Sequence, residues 1–245
     1  MSALTAIARD LRRDLAALTF SPPVAYVYRP LEYAWGPHAE FLERWGAEPK
    51  PVVLVGMNPG PWGMAQTGIP FGCVSLVGSW LGLASRDVGR PNPEHPRRRV
   101  EGFDCHREEV SGARLWGWAR DRWGTPERFF RSVWVTNYCP LLFLDEAGRN
   151  LTPDRVRAAE RDLVTAPCDR ALRRVVEALE ARFVVGIGGF AEGRIRAACA
   201  ELPVTIGRIL HPSPASPRAN RGWAAEASAG LRELGIEVPG ATATP

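Results

Sequence analysis

Four short runs of β-branched and aliphatic residues constrain this 245-residue chain more than any other feature. They are Val52 to Val55, Val133 to Thr136, Phe183 to Ile187 and Val204 to Leu210, each bounded by Gly, Pro or Asn. Runs this short and this apolar read as strands buried on both faces. Helical stretches at Pro153 to Arg161, Asp169 to Ala181 and Ala191 to Ala200 separate the later runs. Strands alternating with helices pair in parallel and need helices over both faces. The expected class is α/β: a three-layer α/β/α sandwich around a central, mainly parallel four-stranded sheet.

The length and composition fit one soluble domain over residues 1–245, with 45% hydrophobic and 24% charged residues. No apolar run approaches the roughly 18 residues of a membrane span. At the N-terminus Leu4, Ile7, Leu11, Leu15 and Leu18 fall at helical spacing, interrupted by Arg9, Asp10, Arg12, Arg13 and Asp14. That pattern predicts an amphipathic helix within residues 1–23 and no targeting segment. Residues 85 to 113 are too rich in Pro, Gly and charge for a core element and read as a surface excursion. Trp116 and Trp123, one helical face apart, are expected in the core, and residues 239–245 form a flexible tail.

A net charge of +4 suits a polyanionic partner without demanding one. PRRRV, residues 96 to 100, is a weak electrostatic patch. Lys50 is the only lysine among 31 basic residues, a bias that high-GC codon usage explains. The five cysteines have no CxxC spacing and an odd count, so reduced structural thiols are expected, with no metal. GIGGFAEG, residues 186 to 193, meets a loose GxGxxA pattern, but no acidic residue ends a following strand, so no cofactor is expected. Its helix N-terminus suits a nucleic-acid phosphate.

Open parallel sheets bind ligands beyond the carboxyl ends of their strands. The residues that follow the four runs there are Asn58, Asn137, Gly188 with Gly189, and His211. Each has a plainer alternative: Asn58 before Pro59 as a turn former, Asn137 as a structural buried amide, His211 as a cap or surface residue. Asn58 belongs to VGMNPGPWGMAQTGIPFG, residues 55 to 72, which packs five glycines and three prolines into a loop with no charge. Such a loop offers no lysine for a phosphate, no His or Cys for a metal and no carboxylate for hydrolysis.

EYAWGPH (32 to 38), EVSGARLWG (109 to 117), NYCPLLFL (137 to 144), GRNLTP (148 to 153) and HPSP with ANRGW (211 to 223) accompany that loop. Together, over roughly residues 24 to 236, they resemble the single-strand-selective monofunctional uracil-DNA glycosylases of the uracil-DNA glycosylase superfamily. The resemblance implies that Asn58 positions the attacking water and His211 contacts O2 of the base. It also implies that Phe71 stacks on the extruded uracil, Asn137 reads its polar edge, and Met57 and Gly60 line the pocket near C5. DNA contacts are implied at Arg149, Asn150, Thr152, Ser213, Pro214, Ala215 and Arg218. The loop from Pro212 to Arg221 resembles the family's wedge, with Ala215 where the family usually carries Arg and Arg218 near enough to substitute.

These roles make chemical sense. A loose, oxocarbenium-like transition state demands little activation of its nucleophile, so an amide that cannot act as a base suffices to hold water. Lys50 precedes the first strand, at the opposite end from the candidate site, so besides the N-terminal amine no amine is available for a Schiff base with the sugar. The expected activity is monofunctional: excision of uracil, and of 5-hydroxymethyluracil, from single- and double-stranded DNA without strand cleavage. Ala215 shifts the expected preference toward single strands. The competing readings are a sibling with another base choice, thymine mismatches or deaminated purines, and a non-catalytic binder of damaged or single-stranded DNA. A monomer is expected, in a bacterial cytoplasm near the nucleoid or in a nucleus.

Overall fold

The computed structural model describes residues 2–83 and 87–240. Seven strands form among them: β1 (Tyr26–Tyr28), β2 (Val52–Gly56), β3 (Val133–Asn137), β4 (Leu142–Leu144), β5 (Asn150–Leu151), β6 (Phe183–Ile187) and β7 (Thr205–Ile209). The four runs of the sequence become one parallel sheet in the order β3-β2-β6-β7. β2 lies centrally and all five of its residues are buried. A buried Val or Leu contributes about 1.5 to 3 kcal/mol, so this strand anchors the core. The chain runs one way from β2 to β3 and the other way to β6 and β7, which opens a crevice at the carboxyl ends.

Close packing of helices on the sheet is visible at two glycines on opposite faces. Gly186 of β6 meets the backbone of Ala191 and Glu192 in the helix Gly189–Ala198. Gly207 of β7 faces Leu234, just beyond the helix Trp223–Glu233. Gly207 pairs with Val185 in register, one residue before Gly186, and successive strand residues point to opposite faces. Helices therefore cover both faces, as the sequence pattern requires.

The expected N-terminal helix spans Ala3–Ala16, with Ser2 Oγ accepting from the Thr5 N–H and Leu4, Ile7 and Leu15 buried. Trp116 and Trp123 are buried in the helix Val110–Trp123. All five cysteines are buried and unpaired. No described helix is long and apolar enough to cross a membrane. Most of the expected tail, residues 241–245, lies outside the described residues.

Two expectations need correction. The expected helical stretches Pro153 to Arg161 and Asp169 to Ala181 are one helix, Ala158–Ala178, which runs through Pro167. Val164, Cys168, Ala171, Leu172 and Val176 bury its inner face beside Pro167, and that packing outweighs the roughly 3 kcal/mol cost of an internal proline. The sheet is also not the only one, since β1, β4 and β5 form a small antiparallel sheet.

The excursion covers part of this second sheet and is less superficial than its composition suggests; its residues 85 and 86 lie outside the described part. Val100 is buried with Tyr28, Ala65, Leu142 and Leu144. The Tyr28 hydroxyl donates to the Arg98 carbonyl and accepts from the His95 N–H, both at 2.8 Å. Gln66 Oε1 accepts the backbone N–H groups of Glu101 and Gly102, so the excursion is tied to the loop after Asn58.

Candidate active site

The carboxyl ends of β2, β3 and β7 meet at one cavity of about 220 Å³. Nine residues predicted from sequence line it: Met57, Asn58, Gly60, Phe71, Asn137, Asn150, His211, Ser213 and Pro214. The local reason is the parallel register, which sets Gly56 level with Asn137 and delivers each following residue to the same edge. Pro61, Met64, Glu109 and Ser111 complete the lining and were not foreseen.

Asn58 is held by a ladder that continues past the strand. The Tyr138 and Cys139 N–H groups donate to the Gly56 and Met57 carbonyls at 2.9 Å. Asn58 Nδ2 donates to the Leu141 carbonyl at 3.3 Å, and Asn150 Nδ2 to the Pro59 carbonyl at 3.3 Å. With its amino group engaged, Asn58 keeps Oδ1 to accept from a water. Asn137 Nδ2 donates to Met64 Sδ at 3.3 Å, which fixes which way the amide points and leaves one N–H and the carbonyl oxygen for a ligand.

Phe71 has φ of 53°, a left-handed conformation rare for a residue with a side chain. The surroundings over-determine it: its carbonyl sits where any Cβ at Gly112 would be, and its ring lies over Gly56. Behind this loop His38 Nδ1 lies 2.8 Å from the Gly68 carbonyl, an acceptor, and so carries the proton. Burial pushes the His38 pKa down from 6.5 to about 4. The unfolded chain therefore binds a proton that the folded one refuses between those values. Its contribution is full above pH 6.5 and is lost as pH falls toward 4, a change of about 3 kcal/mol in all. Urea midpoints measured across that range should fall with pH, and the slope should flatten in His38→Asn.

His211 is half-buried, its ring tilted against Phe71 with centroids 6.3 Å apart. Neither ring nitrogen has a hydrogen-bond partner among the described residues, so both remain for a ligand. Burial lowers its pKa, which keeps the imidazole neutral at pH 7. The loop that follows is braced from the helix Val110–Trp123. Arg114 donates to the carbonyls of Pro212 and Ser213 and to Asn220 Oδ1, and Asn220 Nδ2 donates to the Pro214 carbonyl.

The remaining predicted DNA contacts lie outside the cavity lining. Ala215 is exposed at the tip of the wedge-like loop, its N–H donating to Ser213 Oγ. Arg218 pairs with Glu226 at 2.6 Å and lines a separate groove with Gly188 and Arg208, on the other side of His211. Arg149 pairs with Asp145 at 2.7 Å, and Thr152 precedes the short turn Pro153–Arg155. Lys50 is buried before β2, with Nζ donating to the Glu48 carbonyl, at the far end of the strand from Asn58. Among the described residues no three His, Cys, Asp or Glu side chains gather as a metal site.

Glu109 corrects the picture of an uncharged site. The loop itself has no charge, but this carboxylate reaches it from the end of the excursion and accepts the Trp62 N–H at 3.3 Å. Burial pushes its pKa up.

The model of the Uracil DNA glycosylase superfamily matches residues 44–231. This chain belongs to the uracil-DNA glycosylase superfamily. Within that superfamily it is 51% identical over 228 residues to the single-strand selective monofunctional uracil DNA glycosylase of Bos taurus, covering 92% of this chain and 84% of that one. It is 49% identical to the Rattus norvegicus protein of the same description, with 92% and 82% covered. The crystal structure of wild-type Pedobacter heparinus SMUG2 superposes with a TM-score of 0.66 at 15% identity, covering 94% of this chain and 98% of that one. That likeness shows the uracil-DNA glycosylase fold at a distance where sequence alone says little.

Proposed function

We propose that the protein is a monofunctional uracil-DNA glycosylase that hydrolyses the N-glycosidic bond of deoxyuridine and leaves an abasic site. The observation that supports this best is the convergence of Asn58, Phe71, Asn137 and His211 on one cavity. Breaking the bond puts positive charge on the sugar and negative charge on the departing base. Asn58 holds the water that captures the sugar. His211 donates to O2, an interaction that strengthens as the base becomes anionic. Asn137 accepts from N3–H and donates to O4, a pattern that cytosine reverses at both positions.

The target nucleotide must leave the stack to reach such a cavity, at a cost of a few kcal/mol. Stacking on Phe71 returns about 1 to 3 kcal/mol of that. Met57 and Gly60 line the cavity, and their expected place near C5 supports 5-hydroxymethyluracil as a second substrate. Arg149, Asn150, Thr152, Ser213, Pro214, Ala215 and Arg218 form the DNA-facing rim of a monomer that acts wherever the cell keeps its DNA. With Ala215 at the wedge tip and Arg218 engaged by Glu226, single strands are the preferred substrate.

An oligonucleotide with one deoxyuridine tests the reading, as a single strand and opposite guanine. Cleavage should appear only after alkali, borohydride should trap no covalent adduct, and turnover should be faster on the single strand. Binding without alkali-labile product would overturn the glycosylase assignment, an adduct its monofunctional character, and equal duplex turnover the strand preference.

A further inference from the structure

Glu109 immediately precedes the helix Val110–Trp123, where a carboxylate ordinarily turns back to cap the free N–H groups. Here it makes no cap bond and reaches the other way, to the loop that carries Asn58. Two glycines admit it: a Cβ on Gly60 would strike its carboxylate, and one on Gly63 would lie 2.9 Å from its Cγ. Oε2 takes the Trp62 N–H, while Oε1 has no hydrogen-bond partner and no cation pairs with the group among the described residues. An unpaired carboxylate in a half-buried cavity costs stability. Shape alone would be served as well by glutamine.

The cavity that Glu109 shares with Asn58 and His211 is where the sugar becomes a cation, if uracil excision is the reaction. We infer that the Glu109 carboxylate stabilises that developing deoxyribose cation, supplying from a distant segment the negative charge that Asn58 lacks. The inference rests on the glycosylase reading and adds a catalytic residue to it. The chemistry balances without further reactants: the glycosidic electron pair leaves with uracil, water adds to C1′ and its released proton passes through solvent to the uracil anion, and Glu109 forms no bond.

Glu109→Gln tests the charge, because it keeps the volume and an acceptor for Trp62. Its kcat on deoxyuridine should fall about 10- to 100-fold with little change in KM or melting temperature. A second readout is binding of oligonucleotides whose abasic ring is either a neutral tetrahydrofuran or a cationic pyrrolidine. Wild-type protein should favour the cation, and Glu109→Gln should lose most of that preference while holding the neutral analogue as before. Wild-type kcat in Glu109→Gln would overturn the inference. So would a kcat loss with the cation preference intact, which would make Glu109 a loop-positioning residue. Wild-type protein that leaves deoxyuridine intact removes the glycosylase reading and this inference with it, whereas an active wild type with an unchanged variant removes the inference alone.

Discussion

His211→Ala is expected to lower kcat for uracil excision about 10²- to 10³-fold, the usual cost of deleting one preorganised donor to a developing anion. Two features of this imidazole set the size of the effect. Its ring nitrogens have no partner among the described residues, so no internal bond competes with the ligand. Its lowered pKa keeps it neutral at pH 7, so it presents one N–H donor to O2 and the substitution deletes that single neutral donor. Because the proposed interaction with O2 grows as charge develops there, the loss should fall on kcat and leave KM nearly unchanged. The defect should also shrink for 5-fluorouracil, whose anion needs less help. Single-turnover rates on matched uracil and 5-fluorouracil oligonucleotides check both statements. A defect of equal size on both bases would show that His211 orients the substrate and does not stabilise the leaving group.

The residues at stake were legible in the sequence where their placement is local. Asn137 ends a strand and Asn58 and His211 lie two residues past one, and a parallel sheet sends all strand ends to one edge. Phe71 was legible only through resemblance, since nothing in its own neighbourhood announces a left-handed backbone. Three further features depend on contacts between distant segments. β1, β4 and β5 have three, three and two residues, too few for an alternating pattern to register. Pro167 marks a helix break by local rules, and only the buried face around it shows why the helix continues. Glu109 sits in a charged, proline-rich excursion that reads as solvated chain, and its place against Gly60 and Gly63 exists only after folding.

Gly56→Ala is the sharpest test of how the pocket is shaped, because one methyl group addresses two of its walls. A Cβ at Gly56 would lie 2.6 Å from Phe71 Cζ and 2.5 Å from Asn137 Oδ1, well inside contact distance. Strand β2 cannot yield, being central and paired on both sides. Phe71 cannot withdraw along its backbone, because its carbonyl already abuts Gly112. The ring and the amide must therefore rotate, and both are the groups proposed to grip the base. Overpacking of this kind costs about 1 to 3 kcal/mol of stability, a loss a domain of this size survives. A displacement near 1 Å of substrate-positioning groups costs about 10²-fold in rate. The expected result is a folded protein with kcat/KM on deoxyuridine down about 100-fold, far beyond its loss of stability. Gly117→Ala is the matched control, since a Cβ there meets nothing within 4 Å on an interior helix position. That substitution should add up to about 1 kcal/mol of stability and leave excision unchanged. Near-normal excision in Gly56→Ala would mean that Phe71 and Asn137 do not grip the base from the positions they hold around Gly56.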